Sequence, residues 1–417
     1  MDELLLHLPP LLQLDWCSGG FPDFSWFSRA NDERRLRLIS DRPISYVDPV
    51  ACTMLAAWAH HRAALSNPVV IDDSVKSPYT WRVGLLSALA GRSRELETAT
   101  DRMVQITNLP TQDRIQPFLA KLRAVMHLDP ETSDALAYCL SELLRNVFEH
   151  SGSRPGAFVA ASHFKASDRV TISVADLGMT VPAHMKRQFS PDRPLDEEAA
   201  LRVALEPRAT GSDDLKRNAG LGLYMTRRIA DFTGGKFWLL SGGHCARNDG
   251  NPSILGGRGE VTISPVANRW EGTVVALTLY PGRMQMGSFV NAVSMANAEV
   301  GGGVASLLPD TIFRKKESLP GSVMVDVPPD ASNIAQDKIA AAELRENKVM
   351  TALREGKSVT LNFARVWLTT QSFMHALLAG PLAEIGKEQL ASKLCFRACS
   401  TQVREIVRMV IGYVFRG

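Results

Sequence analysis

The chain has 417 residues, 45% of them hydrophobic and 22% charged, which excludes an intrinsically disordered protein and suggests two or three folded domains. The formal net charge of +3 is small and no long lysine- or arginine-rich run occurs, so neither a nucleic acid nor an anionic membrane is indicated as a partner. No stretch approaches the ~20 apolar residues of a transmembrane helix, and acidic rather than basic residues follow Met1, so we expect a cytoplasmic protein.

The first predicted elements belong to a small α/β domain in residues 1–100. Apolar residues recur at helical spacing from Val50 to Leu65, the run at 68–71 is typical of a buried strand, and a second helix is expected from Trp81 to Ala90. This order indicates a compact α/β unit. It does not provide the pair of long heptad helices that would carry the phosphoacceptor of a histidine autokinase.

A second domain is predicted for residues 101–285, and its first candidate site lies on a helix expected from Glu131 to His150. Glu142, Asn146 and His150 recur every four residues and therefore share one stripe beside the leucine-rich core face. A carboxylate and a carboxamide one turn apart can hold hydrated Mg²⁺ beside phosphate oxygens, because hard cations prefer oxygen ligands. Polar residues on a helix flank usually face solvent, so this pattern is not diagnostic alone.

The next candidate site ends a predicted hairpin with strands at 156–163 and 169–176. Alternating apolar residues predict that the second strand is half-buried. Asp176 at its end can accept a hydrogen bond from the exocyclic amine of a purine, and Gly178 lets the backbone approach the ring closely. Turns use the same residue types, so this pair is weak evidence by itself.

Two further sites follow a long interval. Glycines open a helix predicted from Leu223 to Phe232, where backbone N–H groups and the helix dipole favour a phosphate. The residues concerned are Gly220, Leu221, Gly222 and Leu223. The preceding interval, 183–217, has the length of a lid. Thr273 starts a strand predicted to end at Tyr280, where its hydroxyl can join a base-binding network.

In order and spacing, the four sites together resemble the nucleotide-binding boxes of the GHKL family, which includes gyrase, Hsp90, histidine kinases and MutL. The boxes are the N-box (Glu142, Asn146, His150), the first glycine box (Asp176, Gly178), the second glycine box (Gly220 to Leu223) and the closing Gly-Thr pair (Gly272, Thr273). The resemblance implies a two-layer α/β sandwich with a mixed, largely antiparallel sheet. ATP would bind between the sheet, the helices and the lid.

The resemblance also implies roles for individual residues. Asn146 would ligate Mg²⁺, and Asp176 would bind the adenine amine. Gly178 would lie against the base and Thr273 near the adenine, while the second glycine box would lie under the phosphates. ATP and Mg²⁺ are therefore the expected cofactors.

Three positions need separate comment. Glu142 matches the general base of the family members that hydrolyse ATP, and His150 completes the nucleotide-binding stripe of the N-box. Thr180 departs from the family, which usually has a second glycine there. The glycine-rich loop of a methyltransferase is an alternative for Asp176 and Gly178, but it leaves the second glycine box unexplained. A P-loop NTPase is disfavoured because the full phosphate-loop pattern, a glycine followed five residues later by Gly-Lys-Ser/Thr, does not occur.

Residues 286–320 are predicted to be a linker, since they contain a triple glycine and, at 314–316, a basic Arg-Lys-Lys run. Residues 321–417 alternate between strand and helix patterns, which indicates a second α/β domain. Helices are expected from Ile334 to Leu353 and from Thr370 onward, the latter interrupted at Gly380-Pro381.

The strand at 359–363 and the helix start that follows it resemble STAS-like domains, the class that includes anti-anti-sigma factors. The N-terminal domain resembles the same class in outline at 46–49 and 79–84. In that family the helix start can carry a phosphorylated Ser or Thr. Thr370 and Ser372 lie there, but the preceding Asp of the phosphorylated proteins is absent, so we interpret them as helix N-caps.

An ATP domain joined to STAS-like modules resembles the bacterial anti-sigma-factor serine kinases and their partners, combined in one chain. We therefore expect an ATP-binding regulator with a protein partner and with Ser/Thr kinase activity. Two alternatives stay open. One is an ATP-hydrolysing clamp, in which Glu142 activates water and a homodimer forms. The other is a nucleotide-sensing interaction protein without turnover.

Overall fold

The computed structural model describes residues 3–14, 25–29, 32–91, 103–188, 195–206, 222–249, 259–284, 289, 291, 310–314, 317–329 and 333–415. The chain divides into two compact units, residues 1–205 with 226–286 and residues 206–225 with 287–417. Each unit combines helices and strands, which confirms the predicted α/β class. Among the residues described, no helix is long and apolar enough to cross a membrane.

The first unit begins with short strands around one long helix. Its elements are β1 (Glu3–His7), β2 (Leu11–Leu12), β3 (Arg35–Ile39), β4 (Tyr46–Val47), α1 (Pro49–Ala64), β5 (Val70–Ile71), α2 (Pro78–Arg82) and α3 (Leu85–Leu89). β1, β3 and β5 form a parallel sheet, and β2 pairs with β4. The helix predicted from Trp81 to Ala90 is instead two short helices, because Gly84 between them has φ of 78°.

The centre of the first unit is a five-stranded sheet with the order β6-β7-β8-β10-β9. Its strands are β6 (Met103–Leu109), β7 (Ala157–Phe164), β8 (Arg169–Asp176), β9 (Lys236–Asp249) and β10 (Val261–Leu279). Every neighbouring pair is antiparallel. The predicted hairpin is confirmed as β7 and β8, and the sheet agrees with the expected sandwich.

Five helices accompany this sheet. They are α4 (Ile115–Met126), α5 (Pro130–Asn146), α6 (Val181–Gln188), α7 (Glu197–Ala204) and α8 (Gly222–Phe232). α5 starts at Asp129, whose carboxylate accepts the Thr132 N–H, with proline at the first helical position. α7 and most of α6 lie inside the interval predicted as a lid, so part of that interval is helical. Glu197 of α7 accepts hydrogen bonds from the β9–β10 hairpin, at Gly243 N and Arg269 Nη2.

Helix α1 covers one face of the central sheet. All residues from Pro49 to Ala59 are buried, as expected of a helix that is apolar on every side. The sheet residues in the same core are Phe158, Ala160, Ala175, Trp238, Leu240, Val274 and Ala276. Thr53 of α1 and Ser173 of β8 share a buried hydrogen bond of 2.7 Å. The prediction that β8 is half-buried is wrong: residues 170–176 are all buried because α1 covers the second face.

The segment predicted as a separate N-terminal domain therefore shares its core with the central sheet, within one compact unit. The boundary predicted near residue 100 lies outside the described residues, in the interval 92–102.

The second unit contains a four-stranded parallel sheet with the order β11-β16-β14-β12. Its elements are β11 (Phe313–Arg314), β12 (Val323–Asp326), β13 (Ile334–Ala335), α9 (Lys338–Leu344), α10 (Thr351–Arg354), β14 (Val359–Asn362), β15 (Leu368–Thr369), α11 (Gln371–Lys393), β16 (Leu394–Arg397) and α12 (Thr401–Val414). β13 and β15 form a separate pair. Strands alternate with helices as predicted.

Two helix predictions in this unit need correction. The chain at Ile334 is a strand, and the helical segment starts only at Lys338, where Asp337 caps it. α11 continues through Pro381, and its one non-helical residue is Gly386, with φ of 68°. The predicted cap is confirmed at Thr370, whose hydroxyl accepts the Phe373 N–H at 3.1 Å. The cap predicted at Ser372 is wrong, because Ser372 lies inside α11.

Candidate nucleotide-binding site

Three polar side chains meet at one register of the central sheet. Asp176, the last residue of β8, pairs with Thr273 of β10, and Thr273 pairs with Ser241 of β9. Side chains at paired positions share one face of a sheet. The pleat places this row on the face opposite the one that Ala175 and Val274 present to α1. The Ser241 and Thr273 hydroxyls are 3.0 Å apart, so the row is hydrogen-bonded.

The carboxyl group of Asp176 is buried but well supplied with donors. Asp176 is 3% exposed, and its Oδ1 accepts the Gly178 N–H at 2.8 Å. Burial raises the pKa of this carboxyl to about 7, against the lowering effect of hydrogen bonds from Gly178, Ser151 and Thr273. A buried acceptor with this supply of donors is suited to a ligand that brings one more N–H.

The loop after Asp176 lies directly on the end of the predicted N-box helix. Met179 N donates to Ser151 O at 2.6 Å. A β-carbon on Gly178 would come within 2.3 Å of the same Ser151 oxygen, so only glycine fits there. The contact joins the two predicted boxes, because Ser151 directly follows His150 in the chain.

Gly272 directly precedes Thr273 and lies against the backbone of β8 at Asp176. Its φ is 145°, and a β-carbon there would lie 2.1 Å from the Asp176 carbonyl oxygen. The same carbonyl accepts the Trp270 indole N–H at 3.0 Å, and Ser241 donates to the Gly272 carbonyl at 2.9 Å. The glycine of the predicted Gly-Thr pair is therefore required by the close approach of β8.

We expect Gly272→Ala to lower the free energy of unfolding by about 3 kcal/mol or more, through backbone strain together with the steric clash. Gly152→Ala is the matched control, since Gly152 also has a positive φ, 62°, but nothing lies within 4 Å of its β-carbon position. The control substitution should lower the free energy of unfolding by about 1 kcal/mol. Urea unfolding of both variants measures the difference; equal losses would show that β8 does not approach Gly272 as described.

The N-box residues occupy the end of α5 and a wider turn after it. α5 ends at Asn146, and a π-helical turn follows over Val147–Ser151. Such turns are frequent at functional sites. Asn146 is partly exposed, and its carboxamide appears in no hydrogen bond within the described part of the chain. It is therefore available to a ligand. The predicted regular helix to His150 is corrected in its last turn.

Glu142 lies one turn earlier on α5 and is more enclosed. Its residue exposure is 8%. Its Oε1 is 3.6 Å from Arg145 Nη2, and the same Arg145 nitrogen donates to Ser141 Oγ at 2.9 Å. The candidate general base is thus part of a buried ion pair.

His150 contacts a second imidazole that the sequence did not single out. The ring centroids of His150 and His184 are 4.7 Å apart. Burial lowers the pKa of His184 to about 4, with further lowering from His150 and Arg187. His184 belongs to α6, so this contact joins the helix after the first glycine box to the N-box turn.

Thr180, the departure from the family pattern, has a local structural role. Its Oγ1 accepts the Ala183 N–H at 3.2 Å, and its carbonyl accepts the His184 N–H at 2.9 Å. It therefore caps α6. Its φ is not positive, so this backbone position does not require glycine.

The second glycine box is only partly described. Gly220 and Leu221 lie outside the described residues, whereas Gly222 and Leu223 open α8. The helix start agrees with the predicted one within a residue. Of the predicted site residues in the first unit, the structure brings Asp176, Gly178 and Thr273 together, and Ser151 links them to the turn that carries His150.

Sequence reasoning missed four residues of the site: Ser151, His184, Ser241 and Trp270. Ser241 gains its position only from the pairing of β9 with β10. Trp270 lies two residues before Gly272, so its closeness to the Gly-Thr pair could have indicated that it belongs to the site.

The methyltransferase alternative does not fit this sheet. A glycine-rich loop of that kind follows a parallel strand, whereas β8 is antiparallel to both of its neighbours.

Comparison with known families agrees with both predicted domain types. Residues 131–279 match the family described as histidine kinase-, DNA gyrase B-, and HSP90-like ATPase. Residues 340–404 match a STAS-like domain of unknown function. The search of curated proteins gives no match. The chain therefore carries a GHKL ATPase domain at 131–279 and a STAS-like domain at 340–404.

Proposed function

We propose that this protein is a cytoplasmic regulator that binds Mg-ATP in its GHKL domain and transfers the γ-phosphoryl group to a Ser or Thr of a regulatory protein partner. The observation that carries the nucleotide site is the hydrogen-bonded row of Asp176, Thr273 and Ser241. It offers a buried carboxylate and the Thr273 hydroxyl on one face of the sheet, which suits the polar edge of a purine. The fully buried Ser241 hydroxyl holds Thr273 in place.

The proposed metal ligand is Asn146. Asn146 is partly exposed and is the last residue of α5. The turn that follows contacts the Asp176 loop through Ser151. Mg²⁺ keeps several of its waters and uses few protein ligands, so one carboxamide together with phosphate oxygens suffices. The metal would neutralise charge that develops on the transferred phosphoryl group.

The STAS-like domain supports the choice of a protein as phosphoryl acceptor. Its match joins the GHKL match in one chain, a combination that resembles an anti-sigma-factor serine kinase fused to a STAS-like partner. The acceptor hydroxyl in this proposal belongs to a partner, because Thr370 is fully buried as a helix cap.

An ATP-hydrolysing homodimeric clamp is the second candidate, and the buried Glu142 is the observation that favours it. Its Oε1 is 3.6 Å from Arg145 Nη2, and in this candidate the carboxylate activates the attacking water. The sensor without turnover is the remaining alternative. Incubation with γ-labelled ATP separates the three functions. Label on protein supports the kinase, label in free phosphate supports the clamp, and retention on bound ATP supports the sensor.

We expect Glu142→Gln to reduce phosphate release or phosphoryl transfer about 100-fold or more, which is the usual contribution of a general base. ATP affinity should stay within about threefold, because the carboxylate is not proposed to contact ATP directly. Rates of label release and equilibrium dialysis give the two numbers, with Glu131→Gln in the first turn of the same helix as control. Turnover at the wild-type rate in Glu142→Gln would remove this residue from the mechanism.

A further inference from the structure

The STAS-like unit carries a row of polar residues at the carboxyl end of its sheet. The last residues of its four strands stand at one register position: Asp326 of β12, Asn362 of β14, Arg397 of β16 and Arg314 of β11. Asn362 Nδ2 donates to Asp326 Oδ1 at 2.7 Å, so the first half of the row is internally satisfied. The second half consists of two arginines.

Arg314 and Arg397 are directly paired across parallel strands. Neighbouring strands lie about 4.8 Å apart, and like charges at paired positions repel each other. Asp326 is two strands beyond Arg397, which is about 10 Å at the same spacing. In the described part of the chain, no carboxylate forms an ion pair with either arginine.

The guanidinium groups also lack acceptors. The Nε atoms of Arg314 and Arg397 are buried and have no hydrogen-bond partner among the described residues. Both side chains are otherwise partly exposed. These two donors without an acceptor stand at paired positions of neighbouring strands.

Contacts on the other face of the same strands, and in the turn after β16, fix the positions of Arg314 and Arg397. Phe313 stacks beneath Arg404 and Arg408 of α12, whose guanidinium carbons are 5.6 and 5.2 Å from its ring centroid. Because side chains alternate along a strand, Arg314 lies on the opposite face. After Arg397 the chain turns at Ala398, which has φ of 55° and donates its N–H to the Arg314 carbonyl at 3.0 Å. The two strand ends are thereby fixed to each other.

We propose that Arg314 and Arg397 form a binding site for a phosphate group at the carboxyl end of the STAS-like sheet. Two planar guanidinium groups side by side can each give paired N–H bonds to the oxygens of one phosphate, which neutralises their repulsion. The carboxyl end of a parallel sheet is also the usual edge for ligands in α/β folds. The phosphate is either free inorganic phosphate or a phosphoryl group on a peptide. This inference does not depend on the proposed ATP site.

The test uses the full chain, with inorganic phosphate and a phosphoserine peptide as separate probes in titration calorimetry. We expect at least one probe to bind, and Arg314→Gln with Arg397→Gln to weaken that binding about tenfold or more, as expected when charge-assisted paired bonds are removed. Arg354→Gln is the matched control, because Arg354 is exposed at the end of α10 in the same unit. It should bind both probes as the wild type does.

The pattern of binding identifies the source of the phosphate. Binding of phosphate alone indicates a free anion, and binding of the peptide indicates a protein-borne phosphoryl group. A paired Arg→Lys variant keeps the charge but loses the planar fork, so its affinity should fall at least about threefold. The lysine variant replaces the glutamine variant in this test if the glutamine variant does not fold. The proposal is overturned if neither probe binds, or if the paired glutamine or lysine variants keep wild-type affinity.

Discussion

Asp176→Asn is expected to abolish ATP binding and yet make the ligand-free protein more stable at pH 8. The binding loss follows from the hydrogen bonds around the carboxyl group. Oδ1 accepts the Gly178 N–H, and in the proposed site the second oxygen accepts the adenine amine. In the asparagine variant the side-chain oxygen keeps its hydrogen bond with the Gly178 N–H. The side-chain NH₂ group then faces the adenine NH₂ group, and neither can accept a hydrogen bond from the other. We expect at least about a 100-fold loss of affinity, the effect of a buried donor left unpaired.

The gain in stability follows from the raised pKa of Asp176. Burial moves it from the usual 3.8 to about 7, so folding favours the protonated form. The stability associated with that proton is fully present below pH 3.8 and is lost as the pH rises to about 7. At pH 8 the charged group then costs at most about 4 kcal/mol. Asparagine carries no charge, and we expect it to recover about 1–3 kcal/mol, since its NH₂ needs an acceptor of its own.

Two measurements on one protein check this prediction. Calorimetry with Mg-ATP gives the affinity, and urea unfolding at pH 4 and pH 8 gives the stability. The variant should be less stable than the wild type at pH 4, where the unpaired NH₂ group outweighs the small charge relief, and more stable than it at pH 8. Asp41→Asn, at an aspartate whose side chain is 81% exposed, is the control and should change neither quantity. An asparagine variant that binds ATP normally would remove Asp176 from the adenine site.

Asn146→Ala is expected to make ATP binding independent of magnesium. The carboxamide is the proposed protein ligand of the metal, so without it Mg²⁺ can add little to the affinity. We expect the affinity for Mg-ATP to fall about 10- to 100-fold, which is typical for the loss of one metal-site residue. The fold should be unaffected, because Asn146 is partly exposed at the end of α5.

The comparison needs ATP titrations with Mg²⁺ and with a chelator. In the wild type the two curves should differ, and in Asn146→Ala they should coincide. Asn146→Asp is the conservative control, since a carboxylate keeps an oxygen ligand for the cation and should restore the magnesium dependence. A magnesium effect of wild-type size in the alanine variant would assign the metal to another residue.

Much of the candidate site is predictable from sequence because each box depends on local requirements. Gly178 and Gly272 stand where a β-carbon would collide with backbone oxygens, and Asp176 ends a strand whose alternation is plain in the sequence. The departure at Thr180 also has a local explanation, since it caps α6.

The remaining features depend on contacts between distant segments. Ser241 reaches the row only through the register of β9 with β10, and β8 is buried on both faces only because α1 packs on it. The sequence of α1 shows an apolar helix but not the surface that it covers. The pairing of Arg314 with Arg397 likewise requires the strand order of the second unit, in which the first strand in sequence lies beside the last.

A crystal structure of the full chain with Mg²⁺ and a non-hydrolysable ATP analogue tests the nucleotide site most directly. We predict the adenine amine within hydrogen-bonding distance of the Asp176 carboxylate, and the metal bound between Asn146 and the phosphate oxygens. An analogue bound elsewhere, or crystals that stay free of nucleotide when calorimetry also detects no binding, would contradict this assignment.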